Sequence, residues 1–209
     1  MNDNKKFWNR YAGFYDFEIG LTSKKAYMEM YRLMSIVLTT DMTVLEVATG
    51  TGLIAINIAP YVHQIEATDF SSHMIDKARK KNAPGNIRFS IEDATALSFP
   101  DKQFDAVIIS NALHIMPKPI EALSNILRVL KPNGLLIAPN FTHGHIGNST
   151  WNLNAKFLKL IGFETYSKWT PDEYIKFISQ NGFHVKRWQV MKAAFPLVYL
   201  EARKIDVRV

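Results

Sequence analysis

"VLEVATGTGLIA", residues 44–55, decides the fold. Val44, Leu45 and Val47 are strand formers, Glu46 interrupts them with an acid, and the chain then breaks into "ATGTG". Glycines let a chain turn sharply and let a ligand approach the backbone. A helix after such a turn presents unpaired N–H groups at its start. In an open α/β sheet, ligands sit at the carboxyl ends of the strands. "GTGLIA" (50–55) matches G-x-G-x-x-[GA], which serves dinucleotides and other adenosine cofactors alike.

Outward from this turn, strand-like and helix-like segments alternate, the pattern of a parallel sheet covered by helices. Strands are expected at 42–48, 64–70, 87–94, 104–112 and 134–141. Helices are expected after the glycine turn through Val62, over "SSHMIDKARKKN" with Ser71 or Ser72 as N-cap, and over 119–130, stopped by Pro132 and Gly134. Beyond residue 141 the pattern changes. "THGHIGNST" reads as a polar loop, and "WNLNAKFLKLIGF" and "TPDEYIKFISQNGF" as helices, the second with Thr170 as N-cap and Pro171 at its first position. The end, "HVKRWQVMKA" and "FPLVYLEARK", reads as an antiparallel strand pair. Residues 1–40 are helical and aromatic-rich, with no obvious place in the sheet.

With 209 residues, one domain with a sizeable core is expected. No apolar run of spanning length and no signal-peptide core is visible. There is no cysteine, which removes disulfides, thiolate metal sites and thiol nucleophiles together, and fits a reducing, cytoplasmic setting. The net charge of +6 comes mainly from residues 141–209, with ten Lys/Arg against five Asp/Glu. Such an excess attracts anionic lipid, nucleic acid or acidic small molecules, or is simply a solvated basic surface.

Three acids stand near the expected strand ends. Asp69 follows Gly52 by seventeen positions, where a carboxylate can accept from both ribose hydroxyls, or can cap the helix after it. Asp93 ends the third strand, where it can accept from an adenine amino group. Glu46 separates the ligands. It would repel a pyrophosphate but not an amine or sulfonium, and this favours S-adenosylmethionine over a dinucleotide. Glu46 can also bond the backbone N–H groups of its own turn.

These residues resemble the class I S-adenosylmethionine-dependent methyltransferases. The likeness runs from about Val44 to Phe141 through "VLEVATGTG", "ATDFSSHMIDKAR", "IEDATALSFPDKQFDAVIISNALHIM" and "LRVLKPNGLLIAPNF", in the family's order. Within the family, "FWNRYAGFYD" is similar to the opening segment of the ubiquinone/menaquinone-biosynthesis and phosphatidylethanolamine N-methyltransferase group. The resemblance implies a single Rossmann-like, doubly wound α/β domain over 1–209. Its seven-stranded, mostly parallel sheet would end in an antiparallel hairpin, with a helical lid at 1–40 and an insertion at 141–170 beside the substrate pocket. It implies that Gly50, Gly52 and the backbone near Glu46 and Ala48 hold the methionine part, and that Asp69 binds the ribose with Phe70 or Met74 beside the adenine. Asp93 and Ala94 would meet the adenine edge, Asn111 would line the pocket near the methyl, and Tyr11 and Tyr15 would close it. Ala48 stands where the family often has a third glycine, a change tolerated if residue 48 keeps a negative φ.

The reaction expected is in-line methyl transfer to a small-molecule N, O or S nucleophile, with S-adenosylhomocysteine as product. His114, His143 and His145 are the candidate bases, because histidine titrates near neutrality. A metal site at His143 and His145 is not expected, since no acidic or Cys partner is near in sequence. Trp8, Trp151 and Trp169 could shape a pocket or fill the core. Arsenite as acceptor needs thiols, and nucleic-acid amino groups usually need an Asn/Asp-Pro-Pro-aromatic tetrad where this chain has "SNAL", so no nucleic-acid partner is expected. The alternatives are a phospholipid head-group N-methyltransferase in peripheral membrane contact, an NAD(P)-dependent oxidoreductase, and a non-catalytic cofactor-binding protein.

Overall fold

The computed structural model describes residue 13 and residues 15–143, 165–193 and 195–205; of Tyr15 and Glu18 only the backbone is described. Tyr11, His145, Trp8, Trp151 and the helix expected over "WNLNAKFLKLIGF" lie outside the described residues. Two helices open the described chain, α1 (Tyr15–Thr22) and α2 (Lys24–Val37). Then come β1 (Thr43–Val47), α3 (Leu53–Ile58), β2 (Gln64–Asp69), α4 (Ser72–Arg79) and β3 (Ile87–Ile91). They are followed by β4 (Phe104–Ile109), α5 (Pro119–Val129), β5 (Leu130–Ile137) and β6 (Asn140–Phe141). The C-terminal part adds α6 (Pro171–Gln180), β7 (Phe183–Met191) and β8 (Leu197–Lys204). Among the described residues, no helix is long and apolar enough to cross a membrane.

The sheet runs β3-β2-β1-β4-β5-β8, with β7 paired outside β8. β1 to β5 are parallel, and β8 is antiparallel to both β5 and β7. This is the expected architecture with one addition, β6. It is two residues that resume the β5 edge after Pro139: Ile137 pairs Glu201 and Asn140 pairs Val198 on the same strand, and the Ala138 N–H donates to Leu200 O at 2.9 Å between them.

The central strands are apolar on both faces because helices cover both. Val44, Ile65, Ala106, Ile108 and Ile137 face one core with Met30, Leu33 and Met34 of α2 and Ile54 and Ile58 of α3. Leu45, Val47, Val107, Ile109 and Leu136 face the other with Leu123 and Ile126 of α5 and Tyr174 and Ile178 of α6. The helix starts follow their sequence signals. Ser71 accepts from the Met74 N–H at 3.2 Å, and Thr170 and Glu173 form a reciprocal capping box at the start of α6. The strand order reverses between β1 and β4, and a crevice at the carboxyl ends of these two strands is where such folds take ligands.

Candidate functional site

The site is built from the ends of β1, β2 and β4. Val47 pairs Thr68 on one side and Ile109 on the other, so the chain after Val47 emerges between the ends of β2 and β4. The turn is pinned by the Thr49 N–H donating to Thr68 O at 2.8 Å and the Gly52 N–H to Thr49 O at 3.0 Å. Gly50 and Gly52 have φ of 57° and 77°. A Cβ at Gly52 would stand 2.9 Å from Phe89 Cε1 and 3.3 Å from Ala78 Cβ, so that glycine also admits the close packing of α4 and β3. Ala48 corrects the expectation made for it. Its φ is 56°, not negative, so a residue with a Cβ occupies the left-handed region at a cost of about 1–2 kcal/mol. The tight exit from β1 imposes that conformation whatever the side chain.

Glu46 and Asp69 are 2% and 6% exposed. Glu46 accepts the Thr49 hydroxyl at 2.7 Å and a backbone N–H from Ala55 in the first turn of α3. Asp69 accepts the Gly50 N–H and the Ser71 N–H, both at 2.9 Å. Neither carboxylate has an ion pair with a cation among the described residues. Burial pushes Glu46 up to about 8, against the pull of the Thr49 and Ala55 hydrogen bonds, and Asp69 nearby pushes it further. Burial likewise raises Asp69 to about 6 while its two backbone donors lower it. Two buried acids without a counter-charge suit a cationic ligand and oppose an anionic one. The local role expected of each acid is therefore present: Glu46 bonds its own turn, and Asp69 accepts the N–H of the helix cap Ser71.

The other cofactor candidates take different places. Phe70 is half-buried just after β2, whereas Met74 is 3% exposed within α4. Asp93 is exposed beyond β3 and accepts the Thr95 N–H and hydroxyl at 2.8 and 2.7 Å. Ala94 packs against the second core. Tyr15 opens α1, and the next residue, Asp16, is strapped to the glycine turn. It takes the Thr51 hydroxyl and pairs with Lys81 Nζ at 2.7 Å, while Lys81 also donates to Thr51 at 3.0 Å.

At the end of β4, Asn111 stands at φ 51° with its N–H on Pro139 O at 2.8 Å. Its amide Nδ2 donates to the hydroxyl of Tyr27, a 4% exposed residue of α2, at 3.1 Å. Tyr31, one turn on, meets Tyr27 edge to face at 6.1 Å. Burial, Tyr27, Glu46 and Asp16 all raise the Tyr31 hydroxyl well above its ordinary value. Tyr27, Tyr31, Asp16 and Asn140 were not singled out from the sequence. The i, i+4 tyrosine pair was its only trace, and nothing local says what that helix face meets.

His114 is 7% exposed, and its Nδ1 lies 2.9 Å from Asn140 Oδ1. Asn140 donates through Nδ2 to Phe141 O, so its oxygen is the acceptor and His114 carries its proton on Nδ1. Nε2 is then left as a bare acceptor. Burial pulls His114 down to about 4, against the Asn140 bond, with His143 lowering it further. It is neutral at physiological pH and stores a proton poorly. His143 is half-buried, follows β6, donates its N–H to Trp169 O at 2.7 Å, and is lowered by burial and Lys168. Trp169 is a packing residue, stacked on Phe177 at 4.4 Å.

Sheet order, glycine turn and strand-end acids define an α/β protein of the class that receives an adenosine cofactor at its switch point. A family model described as a methyltransferase domain matches residues 44–134. The demethylmenaquinone methyltransferase of Renibacterium salmoninarum is 43% identical over 104 residues, half of this chain and 43% of that protein. The ubiquinone/menaquinone biosynthesis C-methyltransferase of Geobacter sulfurreducens is 34% identical over 155 residues, 67% of this chain and 60% of that protein. A SAM-dependent methyltransferase structure from Thermotoga maritima superposes with a TM-score of 0.74 at 18% identity, covering 95% of this chain and 99% of that one. These matches support a class I S-adenosylmethionine-dependent methyltransferase of the ubiquinone/menaquinone group. The chain spans about half the length of the curated relatives it matches.

Proposed function

We propose that the protein transfers a methyl group from S-adenosylmethionine to a small-molecule acceptor of phenol or quinol type. The observation that carries this reading is the pair of buried carboxylates, Glu46 and Asp69, at a glycine turn without a counter-cation among the described residues. These residues fit the methionine ammonium, the sulfonium and the ribose hydroxyls, and they disfavour the pyrophosphate of NAD(P). When bound, the cofactor supplies an electrophilic methyl on sulfur.

The chain's own residues would do the rest. Glu46 and the backbone at Ala48, Gly50 and Gly52 hold the methionine end, and Asp69 accepts from the ribose. Phe70 or Met74 would stand beside the adenine, with Asp93 and Ala94 at its edge. Residues 1–40, with Tyr11 and Tyr15, cover the site, and the 141–170 segment walls the acceptor side of this one-domain chain. Alignment and exclusion of water are the main catalytic contributions, worth up to about 7–11 kcal/mol in well-oriented systems. His114, held by Asn140, would offer Nε2 as a proton acceptor, and His143 and His145 are the other candidate bases. The acceptor class follows the named activities of the relatives, one of which is a C-methyltransferase, so an activated ring carbon joins N, O and S among the nucleophiles considered. A chain without cysteine fits a reducing, cytoplasmic setting.

Calorimetry with S-adenosylmethionine, S-adenosylhomocysteine and NAD is the first test, followed by methyl transfer from labelled cofactor to reduced naphthoquinones, phenols, amines and phospholipids. The adenosyl ligands should bind, Asp69→Asn should weaken them about tenfold or more, and a reduced naphthoquinone should take up label. Tight NAD binding with neither adenosyl ligand bound would refute the reading.

A further inference from the structure

Two consecutive residues at the end of β4 carry polar atoms that the protein leaves open. Asn111 Oδ1 and Ser110 Oγ are both buried and find no hydrogen-bond partner among the described residues. Buried polar atoms are nearly always paired, and two orphans in a row call for a reason. Loose placement is not the reason. The Asn111 backbone is tied to Pro139 O, and its side chain is tied through Nδ2 to Tyr27 on α2. The donor end of the amide is used and its acceptor end is left over. The residue also holds a left-handed φ of 51°, a conformation asparagine tolerates better than most. Val47 pairs Ile109, so Ser110 and Asn111 leave the sheet beside Ala48 and the glycine turn, on the other side of the switch point.

We propose that Asn111 Oδ1, with Ser110 Oγ as second contact, holds the methyl acceptor, and that this acceptor is a molecule without an anionic group at that point, presenting an O–H or N–H group. The inference rests on the methyltransferase reading and names the atoms that would hold its substrate. An amide oxygen only accepts, so the ligand must donate. A carboxylate or phosphate offers acceptors alone and would also face the nearby acids Glu46 and Asp69. The Ser110 hydroxyl can donate to or accept from the same ligand group. Tyr27 is a positioning residue: its hydroxyl holds the Asn111 side chain in place, and it meets Tyr31 edge to face.

The test compares 1-naphthol with 1-methoxynaphthalene, which lacks the donor, by ligand fluorescence titrated into the full chain with and without saturating S-adenosylhomocysteine. Wild type should prefer the naphthol about tenfold. Asn111→Gly, which removes the amide without backbone strain, should abolish the preference and leave the affinity for S-adenosylhomocysteine within about twofold. Asn111→Asp, which keeps an acceptor oxygen and tolerates the same φ, should retain it. Tyr27→Phe should weaken the preference with the fold intact by circular dichroism. Equal affinities in wild type, or an undiminished preference in Asn111→Gly, overturn the proposal. So does a large loss of S-adenosylhomocysteine affinity in Asn111→Gly with the preference kept, which would assign the amide to the cofactor. A wild type that does not bind S-adenosylhomocysteine refutes the methyltransferase reading, while the naphthol preference still decides this one.

Discussion

Glu46→Gln should make the free protein more stable at neutral pH and no more stable in acid. Burial lifts the Glu46 carboxyl from an ordinary 4.5 to about 8. Between those values the native protein holds a proton that the unfolded chain releases. Stability is therefore full below the unfolded value and falls as pH rises through the window, by about 1.4 kcal/mol per unit. At pH 7 this amounts to about 3 kcal/mol, and the figure barely changes for any folded value above 7. Glutamine is neutral in both states, so it escapes the loss. Its oxygen can keep the Thr49 and Ala55 donors, while its new N–H group lacks a placed acceptor at a cost of about 1 kcal/mol. A net gain of about 2 kcal/mol at pH 7 corresponds to a rise in Tm of roughly 4–8 °C in a chain of this size. Asp69, raised to about 6, titrates while Glu46 is still protonated, so its contribution largely cancels in the difference. Thermal unfolding of both proteins from pH 4 to 8.5 measures it. A difference that does not grow with pH would sink the reasoning. Affinity for S-adenosylmethionine should move the other way, falling about tenfold as a charge-assisted contact is lost.

Ala48→Gly removes left-handed strain of about 1–2 kcal/mol and restores about 0.4–1 kcal/mol of unfolded-chain freedom, for a net stabilisation of about 0.5–1 kcal/mol in urea unfolding at unchanged slope. Gly52→Ala adds a Cβ at φ 77°, 2.9 Å from Phe89 Cε1, and should cost about 2–4 kcal/mol by the same measurement, with cofactor affinity reduced because the turn must shift. Thr170→Ala breaks the capping box of α6 and should cost about 1 kcal/mol, seen as faster amide exchange in the first turn of α6 with cofactor affinity unchanged.

The parallel sheet was legible because its signals are local. A strand buried on both faces is a run such as "TVLEV", and a helix start such as "TPDE" names its own cap. The β6 extension was not legible, because it depends on which strand edge the chain meets after Pro139. The φ of Ala48 was misread for a related reason: sequence shows that alanine is the wrong residue for a left-handed turn, but not that the exit from β1 between β2 and β4 leaves no other path. Tyr27 and Asn111 lie 84 positions apart, and His114 and Asn140 lie 26 apart. Such pairs exist only once α2 lies across the sheet and β4 and β5 stand side by side.

The turn collects features that weaken the free protein. Within three residues it holds an alanine in a glycine conformation and a buried acid without a counter-charge among the described residues, and Asp69 beside them has the same lack. Strain and desolvation that persist in a folded protein tend to lie where a ligand is met. A cation placed at this turn compensates the charge part directly, since it lowers the pKa of Glu46 and Asp69 toward their ordinary range. Binding should then expel protons at neutral pH. The free protein at high pH, where Glu46 is ionised and alone, should gain the most stability from S-adenosylmethionine, and less from its uncharged-sulfur product. Under the proposed function, Glu46 would connect the weakness of the free turn with a preference for the charged donor over the spent one.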